Sequence, residues 1–338
     1  MWASDLTRSA SLRVCGVLTF AAIIALAGCA HAPPAMGVAP PPEAHLIPDR
    51  ALLIGIADRA QTIRDTSQPT SAKGLAGQLD REHADVDLPA PVLRGKALRP
   101  DEIYQNRLHS VLVIATIGPC TDDTCPWPGH PVVRSNATAF ALTSDGVCVT
   151  NYHVFADPGE DEFMVVSTAS GVVYPVDRII AATKHDDVAV FRIDTRGDRF
   201  EPVPLRSDAP IGATVAVISH PERHFFTMTT GAIARRSLHR GDLTGAHSSR
   251  RSPPKATPPE LPIDVPDSDR LTAALEITAE YALGSSGGPV LDEWGNAVGM
   301  VCATDTLYAE PETKQEPQAV VRTCVPAESI LRLLVPHR

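Results

Sequence analysis

Short apolar runs, broken every few residues by Gly, Pro or Asp, dominate the chain beyond residue 110 and leave little room for helices. They fall at residues 111–117, 138–142, 147–150, 163–167, 188–193, 214–218, 226–233, 274–277, 289–291, 297–301 and 319–324. Runs of that length with turn residues between them specify an all-β fold. Residues 328–334 have the length of one terminal helix. Residues 235–270 break the pattern with paired arginines, prolines and an acidic end, and are read as a long surface loop. An activation loop, a self-cleavage site and a solvated insertion all stay open for that segment.

Three short motifs carry chemistry. Gly284-Ser285-Ser286-Gly287-Gly288-Pro289 sets a serine among glycines, where backbone N–H groups can converge on a carbonyl oxygen. A serine is a weak nucleophile until a base takes its proton. A histidine stands upstream in Thr150-Asn151-Tyr152-His153-Val154, and an acid heads the strand Asp186-Asp187-Val188-Ala189-Val190. Alone, each has an ordinary reading: a turn, a packed histidine, a charge at a strand edge. In the order His, Asp, Ser, 34 and 99 residues apart, they form the series of chymotrypsin-type proteases. Either Asp186 or Asp187 can serve as the acid on spacing alone. Gly284-x-Ser286-x-Gly288 also fits a nucleophile elbow, but that fold needs a helix after the serine and the histidine downstream. Here Pro289-Val290-Leu291 reads as a strand, and the one later histidine is His337.

These motifs resemble those of the trypsin-like peptidases, in particular the bacterial HtrA-like (Deg) branch. The likeness extends over roughly residues 105–335 and includes Ser219-His220-Pro221 and Thr229-Thr230-Gly231-Ala232-Ile233. It implies two six-stranded antiparallel β-barrels with a cleft between them and a C-terminal helix. The hydrophobic fraction of 43% is enough to fill two such cores. The resemblance makes Ser286 the nucleophile, His153 the base and, of the two acids, Asp187 its partner. The N–H groups of Gly284 and Ser286, helped by Ser285, would hold the oxyanion, each worth ~3 kcal/mol. Glu280 falls where the family builds its specificity pocket and would select basic residues, unless it is a solvated loop glutamate. Tyr281 would line the pocket. Ser285 replaces the family's usual Asn, and no PDZ domain is expected after the protease.

The N-terminus carries Arg8 and Arg13, an apolar stretch, and Leu26-Ala27-Gly28-Cys29. That is the pattern of a secretory signal peptide. The last four residues resemble a bacterial lipobox, which implies residues 1–28 as signal and Cys29 as the lipidated residue. An outer-membrane anchor facing the periplasm follows from that resemblance. Residues 29–100 read as a Pro-rich tether with one short helix at 49–65, and 101–338 as the protease domain. Export permits disulfides, so Cys302–Cys324 and Cys120–Cys125 are candidate bridges, with Cys148 a buried thiol. Neither histidines nor cysteines show metal-ligand spacing, and no cofactor is expected. A net charge of −10 argues against nucleic acid as a partner. Protein or peptide substrates and a membrane are the expected partners. The alternative to an enzyme is a silent trypsin-like domain acting as a binding scaffold.

Overall fold

Twelve strands form two closed six-stranded barrels, ordered β1-β2-β3-β6-β5-β4 and β10-β11-β12-β9-β8-β7. The computed structural model describes residues 46–93, 95–121, 129–240, 271–310 and 313–334. The signal segment, Cys29, Cys125 and residues 241–270 of the surface loop lie outside the described residues. In the first barrel stand β1 (Val111–Pro119), β2 (Pro131–Ala141), β3 (Val147–Thr150), β4 (Phe163–Ser167), β5 (Val173–Thr183) and β6 (Val188–Ile193). The second holds β7 (Thr214–Ser219), β8 (Thr227–Arg240), β9 (Leu271–Ile277), β10 (Pro289–Leu291), β11 (Ala297–Glu310) and β12 (Gln315–Pro326). Pairing is antiparallel throughout, and β1 with β4 and β7 with β10 close the two rings. Closure removes the unpaired edges that open sheets must otherwise protect.

Each barrel has its own interior. Leu112, Met164, Ile179 and Phe191 fill the first, and Val217, Leu275, Val298 and Cys324 the second. A third cluster joins them: Phe140, Val149 and Val190 meet Ile218, Met300 and Val325. Helix α4 (Ala327–Leu334) closes over that seam through Ile330 and Leu333. The barrels are thus welded along the line where the cleft opens.

The all-β class and the terminal helix agree with the sequence pattern, which nevertheless missed β5. Pro175 and Asp177-Arg178 break its apolar run, and two register shifts against β6 destroy the alternation. The hairpin of β11 and β12 also runs well past its predicted ends. Its outer half is solvated, so no buried face marks it in the sequence. Residues 235–240, assigned to the surface loop, continue β8 and pair with β9.

Residues 46–100 are not a tether. Helix α1 (Asp49–Ser67) repeats Leu52, Ile56, Ala60 and Ile63 on one face. That face is buried with Val113, Ala115, Phe163 and Val165 of the first barrel. Gln68, in the left-handed region at φ 44° and followed by Pro69, ends the helix. Ser71 caps α2 (Ala72–Ala76) by accepting the Gly74 N–H. Beyond it Gln78 accepts the Ile179 N–H, Arg81 O accepts the Ala182 N–H, and Ala84 N–H donates to Leu333 O. Val92 exchanges two hydrogen bonds of 2.8 and 2.7 Å with the Asn296 amide in the second barrel. Helix α3 (Pro100–Arg107) then starts with Pro100, and Glu102 accepts the Arg99 N–H. The Pro-rich composition of this strap hides its attachments, because they are made by backbone groups at irregular intervals.

Candidate active site

β3 delivers Asn151 to a single helical turn at Tyr152–Val154, and His153 stands on that turn. Asp187 occupies the residue before β6 with φ 54°, fully buried. Asn151 fixes this bend by donating its side-chain amide to Asp187 O at 3.1 Å. His153 Nδ1 lies 2.9 and 3.1 Å from the two Asp187 carboxylate oxygens, and the His153 backbone N–H donates to Oδ1 at 3.0 Å. With Nδ1–H donated to the carboxylate, the lone pair of a neutral ring resides on Nε2. The neighbouring acid is accounted for as well. Asp186 turns the other way and accepts from Arg332 of α4 at 2.8 Å, so it does not face the histidine.

Ser286 comes from the second barrel, in the loop before β10. Thr138 of β2 anchors that loop across the seam: its N–H donates to Ser286 O at 2.8 Å and its hydroxyl to Gly284 O at 3.0 Å. Gly287 has φ +84°, and a Cβ there would sit 2.0 Å from Thr138 O, so the docking requires glycine. The Ser286 hydroxyl points to Cys302 O at a long 3.4 Å. Among the described residues it makes no hydrogen bond to His153. Both side chains face the same two recesses, and such contacts are commonly loose before substrate binds.

The expected oxyanion donors divide. Ser285 N–H donates to Ala282 O at 3.0 Å, so it is not part of the pair. Its hydroxyl instead receives a hydrogen bond from Ser219 at 3.0 Å. The N–H groups of Gly284 and Ser286 have no acceptor among the described residues. Their peptide carbonyls are held: Leu283 O accepts the Glu222 N–H at 2.7 Å, and Ser285 O the Gly288 N–H at 2.9 Å. Two fixed donors two residues apart, beside a serine hydroxyl, can bind the oxygen of a tetrahedral adduct.

One recess, of about 460 Å³, is bounded by Tyr281, Ala282, Leu283, Val301, Ala303 and Thr304 beside Ser286. The other, of about 250 Å³, opens on the far side of His153 against Phe155, Met164 and Asn136. Tyr281 lies along the first, and its hydroxyl donates toward Ala303 O and Thr323 O at 2.9 Å. Burial pushes that phenol well above its usual pKa. Glu280 requires correction. Its side chain is 81% exposed and pairs with Arg322 at 3.3 Å, outside the recess. Both residues lie in the segment after β9 ends at Ile277, where Tyr281 turns inward and Glu280 stays in solvent.

The Cys302–Cys324 bridge is also overturned. Val301 pairs with Cys324 and Ala303 with Thr323, leaving Cys302 as the extra residue of a bulge. Its thiol turns to the seam and donates to Asp187 Oδ2 at 3.2 Å. Cys324 faces the interior of the second barrel, where burial pushes its thiol up to about 12. Cys148 is buried as expected, and burial raises its thiol too. The Cys302 contact was invisible in the sequence: the bulge that aims it breaks the alternation that would have placed it.

Residues 137–300 match the model of the trypsin-like peptidase domain. The chain is 27% identical over 183 residues to Protease Do-like 5, chloroplastic, of Arabidopsis thaliana, covering 52% of this chain and 50% of that protein. It is 27% identical over 182 residues to Serine protease HTRA2, mitochondrial, of Bos taurus, covering 52% and 33%. A Probable periplasmic serine endoprotease DegP-like of Brucella suis is 24% identical over 177 residues, covering 52% and 29%. The crystal structure of Deg5 superposes on 70% of this chain and 94% of its own, with a TM-score of 0.45 and 22% identity. The chain spans half or less of the length of these curated relatives. It carries a trypsin-like peptidase domain homologous to the Deg/HtrA serine proteases.

Proposed function

We propose that the chain is a serine endopeptidase that cleaves exported or envelope proteins after apolar residues. The observation that carries this reading is the His153–Asp187 contact at 2.9 Å, with His153 facing the same recesses as Ser286. In the proposed reaction the Ser286 hydroxyl rotates toward His153 Nε2, gives up its proton and attacks the scissile carbonyl. The carbonyl oxygen takes the negative charge and is held by the Gly284 and Ser286 N–H groups. Asp187 stabilises the imidazolium, which then protonates the leaving amine. Water hydrolyses the acyl-enzyme by the same proton route in reverse.

The wall residues of the larger recess support the specificity. Val301, Ala303 and the ring of Tyr281 offer apolar surface and no charged partner. A Val or Ile side chain gains about 2 kcal/mol there, whereas an unpaired lysine ammonium loses several. The sequence motif at Cys29 and the periplasmic relative support a lipid-anchored place in the bacterial envelope.

The test is labelling of residues 30–338 by a fluorophosphonate beside Ser286→Ala, followed by peptide-library profiling. We expect labelling only with Ser286 present, and cleavage after Val or Ile at least a hundredfold better than after Lys. The hydroxyl resting on Cys302 O favours one other reading, a silent scaffold, and an unlabelled native chain would establish it. A Cys29→Ala chain released from the membrane fraction would support the anchor.

A further inference from the structure

The loop after β7, His220-Pro221-Glu222-Arg223-His224-Phe225-Phe226, takes no part in the proposed chemistry, yet its backbone is unusual. Glu222, Arg223 and Phe226 have φ of 48°, 68° and 57°, in the left-handed region where side chains are disfavoured. A segment with three such residues holds its shape only where surrounding contacts over-determine it. Those contacts come from the N-terminal strap. Asp49, in the first turn of α1, accepts the Phe225 N–H at 3.0 Å. Tyr104 of α3 donates its hydroxyl to Phe226 O at 3.0 Å. Both phenyl rings are buried in one cluster with Leu52 and Ile56 of α1. His220 packs edge-on against both, with centroids 5.8 and 4.6 Å away, and accepts the Phe226 N–H at 3.0 Å.

The other side of the loop touches the nucleophile segment. Glu222 N–H donates to Leu283 O at 2.7 Å. Leu283 C=O and Gly284 N–H belong to one planar trans peptide, so fixing the carbonyl fixes the direction of the N–H. Gly284 lies so close to the loop that a Cβ on it would stand 2.5 Å from His220 O. Released from Glu222, that peptide is free to rotate and withdraw its N–H from the oxyanion position.

We infer that Asp49 is a positioning residue for the Gly284 oxyanion donor, acting through the loop of residues 220–226, so that docking of helix α1 sets the competence of the site. The inference rests on the endopeptidase reading for its kinetic consequence, but the mechanical link is independent of it.

The experiment compares the full chain with Asp49→Ala, Asp49→Asn and Tyr104→Phe. It measures kcat and KM on a peptide with valine before the scissile bond. It also measures inhibition by the matching peptide aldehyde, whose adduct needs the oxyanion donors, and amide hydrogen exchange of residues 279–288. Asp49→Ala is expected to lower kcat at least tenfold with KM within twofold. Aldehyde affinity should weaken by a similar factor, and exchange should quicken at 282–286 while β5 and β6 stay protected. Asp49→Asn keeps an acceptor oxygen and should remain within threefold of the native chain. Tyr104→Phe, which removes a single hydroxyl, should fall between them and serves where Asp49→Ala does not fold. Unchanged kcat and unchanged exchange at 282–286 in the folded variants overturn the inference, as does Asp49→Asn failing as badly as alanine. A native chain that is not labelled at Ser286 sinks the endopeptidase reading instead. The exchange measurement then still decides the link between α1 and residues 282–286.

Discussion

At the scale of single residues, the least expected group in the site is the Cys302 thiol. Asp187 is fully buried, and its carboxylate accepts from the His153 backbone, the imidazole and this thiol. A buried carboxylate left one donor short is poorly solvated, and a hydrogen bond to a charged group contributes about 1.5–3 kcal/mol, with a thiol at the weak end. Cys302→Ala is therefore expected to lower kcat about tenfold with little change in KM. Cys302→Ser restores a stronger donor at the same place and should keep activity within threefold. Steady-state kinetics on the two variants checks this, and equal losses in both would show that packing, not the donor, matters. Sequence reading could name this residue but not its partner, because 115 positions separate it from Asp187.

Among the elements, the loop of residues 220–226 carries a second consequence. Burial lowers the His220 pKa to about 4, only partly offset by the carbonyls of Leu112 and Ser219, and no neighbouring charge contributes. Of the charged groups on α1 and on the loop itself, Asp49 is occupied by the Phe225 N–H. The folded value lies below the unfolded one of 6.5, so between those values the unfolded chain binds the extra proton. Stability from neutral His220 is complete above pH 6.5 and declines as pH falls toward 4. The loss amounts to roughly 3 kcal/mol. Urea unfolding at pH 7 and pH 4.5 should show that decline, and His220→Asn, whose carbonyl can still accept the Phe226 N–H, should flatten it. An unchanged slope in that variant would mean the decline comes from other groups. The elements also show where periodicity misleads. α1 announces itself by its apolar face, whereas β5 is concealed by two bulges and the outer half of the β11–β12 hairpin by full solvation.

For the whole molecule, the strap of residues 46–100 binds both barrels and the terminal helix, so the compact unit that contains the barrels begins near Leu46. Leu52, Ile56, Ile63 and Leu75 are buried by it. At about 2 kcal/mol each, their removal approaches the entire stability of an ordinary domain, roughly 5–15 kcal/mol. A chain of residues 46–338 should give a single cooperative melt, and one of residues 101–338 should be recovered unfolded or aggregated. A cooperative melt of the shorter chain within a few degrees of the longer one would refute the strap's role. The sequence alone determined the all-β class and the α1 face, and it singled out His153, Asp187 and Ser286 as candidates, because those depend on local periodicity and on motifs a few residues long. It could not decide which way Glu280 faces, whether Cys302 bonds to Cys324 or to Asp187, which backbone N–H groups remain for an oxyanion, or that α1 reaches the loop beside Gly284. Each of those depends on a strand register, a bulge or a backbone carbonyl brought in from a distant part of the chain. Only closure of the two barrels and the wrapping of the strap around them fixes such contacts.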